Sequence, residues 1–235
     1  MSEVPPTFFE FDDPARGRLS LATGETVVLL GPSGAGKTRL IRSLLGLPVP
    51  GAARHEPLAG LRVHGRPAPP AGLAPLAGWV PEGDGVFLSD TVGDNVARPP
   101  GAAPHDPDAA REALGLVGLA GRADEPVDAL GRGGRRRVAL ARALASRRPL
   151  LVVDGELDPT IWALLPALLP QAPWIKGALL ATASTAAMVA LGPGRPGRVA
   201  LVGSDRVVAQ ADLATLQASS DPDVRGVLVW VSGTI

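Results

Sequence analysis

Gly31-Pro32-Ser33-Gly34-Ala35-Gly36-Lys37-Thr38 follows the apolar run Val27-Val28-Leu29-Leu30 and opens a helical pattern, Arg39-Leu40-Ile41-Arg42-Ser43-Leu44-Leu45. The order is strand, loop, helix. Glycines let successive backbone N–H groups turn inward around a β-phosphate. Lys37 is placed to neutralise β/γ oxygens, and the Thr38 hydroxyl to ligate Mg²⁺ at the helix N-terminus. Residues Gly31 through Arg39 therefore predict a site for the phosphates of a nucleotide.

Composition supports this reading. Of 23 cationic residues only Lys37 and Lys176 are lysines. A chain so rich in arginine that keeps lysine in the loop points to a need for a compact ammonium, where a planar guanidinium would crowd the turn. The net charge is zero, so no global field argues for nucleic acid or an anionic membrane surface, and no nucleic-acid partner is expected. The chain has no cysteine, which excludes disulfides and thiolate chemistry. Met1-Ser2-Glu3-Val4-Pro5-Pro6 lacks the basic and apolar regions of a signal peptide, so a cytosolic protein is expected.

From Ile161 to Leu191 the only charged residue is Lys176, which resembles a membrane span by hydropathy alone. Pro166, Pro170, Gln171 and Pro173 interrupt it, and Gly177 to Thr182 ends it like a short buried strand. The pattern predicts a core helix followed by a core strand, and a chain that does not itself cross a membrane.

Residues 7–30 read as short strands, with Gly24-Glu25 turning into the strand before the loop. Residues 48–78 are rich in Pro, Gly and Ala, with one hairpin strand at Leu61-Arg62-Val63-His64. Helical patterns follow at about 91–97, 107–118 and 134–147, the second led by the start signal Asp106-Pro107-Asp108. Pro149-Leu150-Leu151-Val152-Val153-Asp154 is then an apolar strand ending in a carboxylate. In P-loop NTPases such a strand lies beside the phosphate-loop strand and its Asp holds Mg²⁺. Asp154 fits that role; a carboxylate capping the next helix is the other local reading.

Between the two motifs lies Leu130-Gly131-Arg132-Gly133-Gly134-Arg135-Arg136-Arg137-Val138-Ala139-Leu140-Ala141-Arg142-Ala143-Leu144. This resembles the signature helix of ABC ATPases, usually LSGGQ followed by a basic, Ala-rich helix. Gly78-Trp79-Val80-Pro81-Glu82, with Val86 to Val92 and Asp94-Asn95-Val96, resembles the family's Q-loop and following helix. The order of motifs matches over nearly the whole chain. Three segments are most similar to the ATP-binding subunits of Mla/Mce-type phospholipid transporters: Glu82 through Pro99, Leu114 through Leu119, and the tail Ala211 through Arg225.

The resemblance implies an α/β P-loop NTPase of the ABC ATPase kind, with a RecA-like core, an antiparallel β subdomain and an inserted helical subdomain. One domain over 1–235 is expected: 1–84 and 146–210 as nucleotide-binding core, 85–145 as helical signature subdomain, 211–235 as C-terminal tail. It implies ATP and Mg²⁺ as cofactors, with Phe11 stacked on adenine, Gly31 to Arg39 around the phosphates, and Thr38, Asp154 and Glu82 at the metal. Gly131, Arg132, Gly133 and Gly134 would contact the nucleotide of a second ATP-binding subunit, identical or not. Closure of that pair would act on an integral membrane permease, which places the chain in the cytoplasm against the inner face of the membrane.

The sequence departs from the family at its catalytic positions. Its only glutamines are Gln171, Gln210 and Gln217, so Glu82 stands at the Q-loop position. Its only histidines are His55, His64 and His105, so the switch histidine is missing and Ala183 aligns there. The catalytic glutamate would follow Asp154, where Gly155 stands. Glu156, one residue on, is the remaining candidate base, and it faces the site only if the backbone bends at Gly155. The connection to the D-loop is short, leaving Asp158 as its aspartate. Gly131 replaces the signature serine and Arg132 a glycine, which reads either as erosion or as a guanidinium supplied to the opposite γ-phosphate. The expected function is an ATP-binding transporter subunit with weak hydrolysis, or else a pseudo-ATPase with a structural or regulatory role. A small P-loop kinase would leave the signature-like helix and tail without a role.

Overall fold

The computed structural model describes residues 5–51, 58–83, 85–98, 106–155, 159–182 and 197–231. Two sheets organise it. Strands β1 (Thr7–Asp13), β2 (Gly17–Ala22), β4 (Arg62–Val63) and β5 (Arg66–Pro67) form an antiparallel sheet in the order β2-β1-β4-β5. Strands β3 (Glu25–Leu30), β6 (Ala77–Val80), β7 (Leu150–Val153), β8 (Gly177–Thr182), β9 (Arg198–Gly203) and β10 (Arg206–Ala211) form the main sheet, ordered β10-β9-β3-β8-β7-β6. All its pairings are parallel except β10 with β9.

The central strands are apolar on both faces, as parallel strands covered on both sides must be. Alternation splits them between two cores. Val28, Leu151, Val153, Ala178 and Leu180 pack with helices α2 (Val92–Ala97), α3 (Pro107–Leu116), α4 (Arg132–Ala145) and α5 (Pro159–Gln171). Val27, Leu29, Leu150, Val152, Leu179 and Ala181 face α1 (Lys37–Leu44) and the antiparallel sheet. Helices α6 (Leu213–Gln217) and α7 (Pro222–Val231) add a third cluster, in which Leu216, Val224, Val227 and Val231 meet Leu30, Val199 and Leu201.

The architecture is the α/β one that the resemblance implies, a mostly parallel core sheet with an antiparallel sheet and a helical lobe. Elements depart from the sequence reading in two places. Helix α5 runs through Pro166 and Pro170, which the pattern marks as breakers. Both prolines are exposed while Leu165, Leu168 and Leu169 are buried, so carbonyls that lose their N–H partners open to water and the apolar face holds the helix together. The strand carrying Asp154 is also not beside the phosphate-loop strand, since β8 lies between β3 and β7. Among the described residues no helix is long and apolar enough to cross a membrane.

Candidate functional site

Strand β3 ends at Leu30, and residues 31–36 return the chain into α1. Gly34 and Gly36 have φ of 81° and 98°, a region open to glycine at little cost. Gly36 caps α1, and a Cβ there would collide with Asp205. The Lys37 ammonium donates to the carbonyls of Gly31 (2.7 Å) and Pro32 (3.0 Å), closing the loop on its own backbone.

A turn that sequence reasoning missed braces this loop from outside. Ser204 and Asp205, between β9 and β10, have φ of 49° and 63°. The Asp205 N–H donates to Ala35 O at 2.9 Å, and its carboxylate pairs with Arg39 at 2.7 Å. Arg39, expected beside the nucleotide, is thus held by Asp205. A cavity of 390 Å³ on this side of the loop is lined by Pro32, Ser33, Gly34, Ser204, Val227 and Trp230, so the tail reaches the phosphate loop.

Thr38, Asp154 and Glu82 come together. The Thr38 hydroxyl donates to Asp154 Oδ1 at 2.9 Å, and Glu82 Oε2 lies 3.4 Å from the same hydroxyl. Asp154 is 1% exposed, its N–H donates to Val80 O at 2.8 Å, and its Oδ2 is buried without a hydrogen-bond partner. Burial pushes its carboxyl above the ordinary value and the Glu82 charge adds to this, against the Thr38 hydrogen bond. An orphaned carboxylate oxygen beside a hydroxyl and a second carboxylate is a hard-oxygen donor set that suits Mg²⁺.

Phe11 is a correction. Its ring is 1% exposed and packs in the core beneath the antiparallel sheet, with Leu19 opposite it on β2. A ring so enclosed offers no face to adenine. Gly131 and Arg132 are exposed at the start of α4, where Gly131 caps the helix without a side chain, and Gly133 and Gly134 follow in its first turn. Gly155 has φ of 78°, so the backbone does bend there. Glu156, Asp158 and Ala183 lie outside the described residues.

The sequence reading also missed Arg136. It is 3% exposed, and its guanidinium donates to Pro81 O, to Gly83 O at 2.5 Å and to Asp154 O at 3.0 Å. A signal existed: Arg136, Ala139, Leu140 and Ala143 recur at the spacing of one buried helix face.

A family model described as "ABC transporter" matches residues 16–158, more than half of the chain. The chain is 39% identical over 150 residues to the Fe(3+) ions import ATP-binding protein FbpC of Streptomyces avermitilis, covering 61% of this chain and 42% of that protein. It is 36% identical over 155 residues to the sulfate/thiosulfate import ATP-binding protein CysA of Pseudomonas aeruginosa, covering 61% of this chain and 45% of that one. The cytochrome c biogenesis ATP-binding export protein CcmA of Rhodobacter capsulatus is 37% identical over 142 residues, with 60% and 57% covered. The chain therefore spans about half the length, or less, of these relatives. In fold it is similar to cbiO1 of Clostridium perfringens, part of the cbiONQ complex, with a TM-score of 0.70, 20% identity and 95% of both chains covered.

Proposed function

This chain belongs to the ABC transporter family, and from that premise we propose that it is an ATP-binding subunit that takes Mg²⁺-ATP at residues 31–39 and engages a membrane permease as one of a pair. The observation that carries this is the approach of Thr38 to Asp154 at 2.9 Å, across elements 116 residues apart in sequence, beside the lysine-closed loop. Bound Mg²⁺-ATP supplies a triphosphate whose charge the metal shares. Lys37 would offer its ammonium, which meets the Gly31 and Pro32 carbonyls in this structure, to phosphate oxygens, and the loop N–H groups would orient the β-phosphate. Thr38 and Asp154 present oxygens to the metal, and Glu82 adds a third.

Hydrolysis is proposed to be weak or absent. No glutamine precedes Gln171 and no histidine follows His105, and Gly155 stands where a base would follow Asp154. Loss of a general base removes about 10²–10⁴ in rate. The second reading, a pseudo-ATPase with a structural or regulatory role, is favoured by the same absences. Steady-state phosphate release from the chain assembled with its permease separates the two: slow release that disappears in Lys37→Ala supports a weak ATPase, and release indistinguishable from that variant supports the pseudo-ATPase.

For cargo we infer a phospholipid, on the three segments Glu82–Pro99, Leu114–Leu119 and Ala211–Arg225. The names of the relatives above favour instead the import of iron or sulfate. Uptake of labelled phospholipid, iron and sulfate in a strain lacking this chain decides between them. The pairing with a second subunit and the place at the inner face of the membrane belong to the same proposal.

A further inference from the structure

We propose that Arg136 is a positioning residue that holds the two carboxylates of the metal site in register; this rests on the reading of Thr38, Asp154 and Glu82 as that site. Its three acceptors belong to the segments that carry the carboxylates. Pro81 and Gly83 bracket Glu82, and the third carbonyl is that of Asp154 itself. The Thr38 hydroxyl meets the two carboxylates themselves, whereas Arg136 joins the backbones that carry them. A planar fork satisfies acceptors on two sides at fixed angles, which an ammonium or an amide does not.

The grip extends along the same loop. Arg142, one face further down α4 and 8% exposed, donates to Gly85 O and lies 5.4 Å from the Phe87 ring. Asn95 on α2 closes the far end, accepting from Phe87 N–H at 2.7 Å and donating to Phe87 O at 3.0 Å. Residues 81–83 and 85–87 are thus strapped to the helical lobe, and Arg136 is the point where that strap meets the end of β7. A guanidinium buried here also offsets the like charges of Asp154 and Glu82, which alone would push the two segments apart. Displacement of α4 relative to the main sheet would therefore move Glu82 against Asp154.

The test uses the full chain and its variants Arg136→Lys, Glu82→Gln and the two combined. ATP affinity is measured by calorimetry with saturating Mg²⁺ and again in EDTA, with thermal melts alongside. Loss of an outer partner of a metal ligand weakens metal binding by roughly 10–100-fold. Arg136→Lys is expected to lose at least about tenfold in Mg²⁺-ATP affinity with metal-free ATP affinity unchanged. The double variant should lose less than the sum of the two single losses, because part of the Arg136 effect acts through Glu82. Equal losses with and without metal, or full additivity, would overturn the proposal. If Arg136→Lys does not fold, Arg136→Gln is read by the same titrations, and failure of both to fold would mark Arg136 as fold support and overturn it too. Failure of the unmodified chain to bind ATP in either condition would instead overturn the nucleotide-site reading.

Discussion

Glu82 crowds the position that a side chain on residue 155 would take. Gly155 has φ of 78°, and a Cβ built on it would lie 3.1 Å from Glu82 Cγ and 3.3 Å from Glu82 Cα. The glycine after Asp154 is therefore matched to the glutamate at the Q-loop position. A glutamate grafted at 155 meets both a left-handed backbone, costing about 1–2 kcal/mol, and a like charge at close range.

Gly155→Glu is accordingly expected to lower stability by about 1–2 kcal/mol and to leave phosphate release unchanged. Urea unfolding and a phosphate-release assay on the same preparation check it. Undiminished stability together with a severalfold rise in turnover would show that the backbone relaxes to accept the base.

Much of the site could be read from the chain because its chemistry is local. The loop 31–38 needs glycines and one lysine in consecutive positions, and Asp154 is announced by the apolar strand before it. What eluded the sequence is contact between distant segments. Phe11 alternates with Phe9 on the face that other strands cover, and only the pairing with β2 and the packing beneath it settle that its ring is enclosed. The run Arg135-Arg136-Arg137 shows three equivalent cations; one of them is turned inward, and its acceptors lie 18 to 55 residues away. The brace by Asp205 lies 166 residues from Arg39, beyond the reach of any spacing rule.

Asp13 ties the β1–β2 turn to the loop before β4. Its carboxylate accepts from Ala15 N–H (2.8 Å), Arg16 N–H (2.9 Å) and Ala59 N–H (2.9 Å). Partial burial acts to raise its pKa, but the hydrogen bonds from Ala59, Arg16 and Ala15 outweigh it and hold the carboxyl below the usual value. A depressed native pKa gives stability that is fully present above the unfolded value of about 3.9 and is lost as pH falls through the native one. Asp13→Ala should cost about 1–2 kcal/mol at pH 7, and the gap to the unmodified protein should narrow below about pH 4. Urea melts across pH 3–7 provide the comparison; a gap that widens on acidification would contradict the assignment.

Helix α7 divides the tail's apolar residues between two environments. Val224, Val227 and Val231 are buried against the chain's own core, whereas Val229 and Trp230 are 59% and 76% exposed. Val224→Ala should destabilise the isolated chain by about 1–3 kcal/mol. Trp230→Ala should leave its stability within about 0.5 kcal/mol while weakening co-purification with the permease or a second subunit. Unchanged assembly in Trp230→Ala would confine the tail to its own core.

The central claim is that residues 31–38 with Asp154 bind Mg²⁺-ATP, and calorimetric titration of Mg²⁺-ATP into the unmodified chain and into Lys37→Ala tests it most directly. Hydrogen bonds to a charged partner contribute about 1.5–3 kcal/mol, so losing the ammonium should weaken affinity by at least about tenfold. Saturable binding in the unmodified chain with that loss in the variant is the result expected. Equal affinity in both, or no binding in the unmodified chain, would contradict the account.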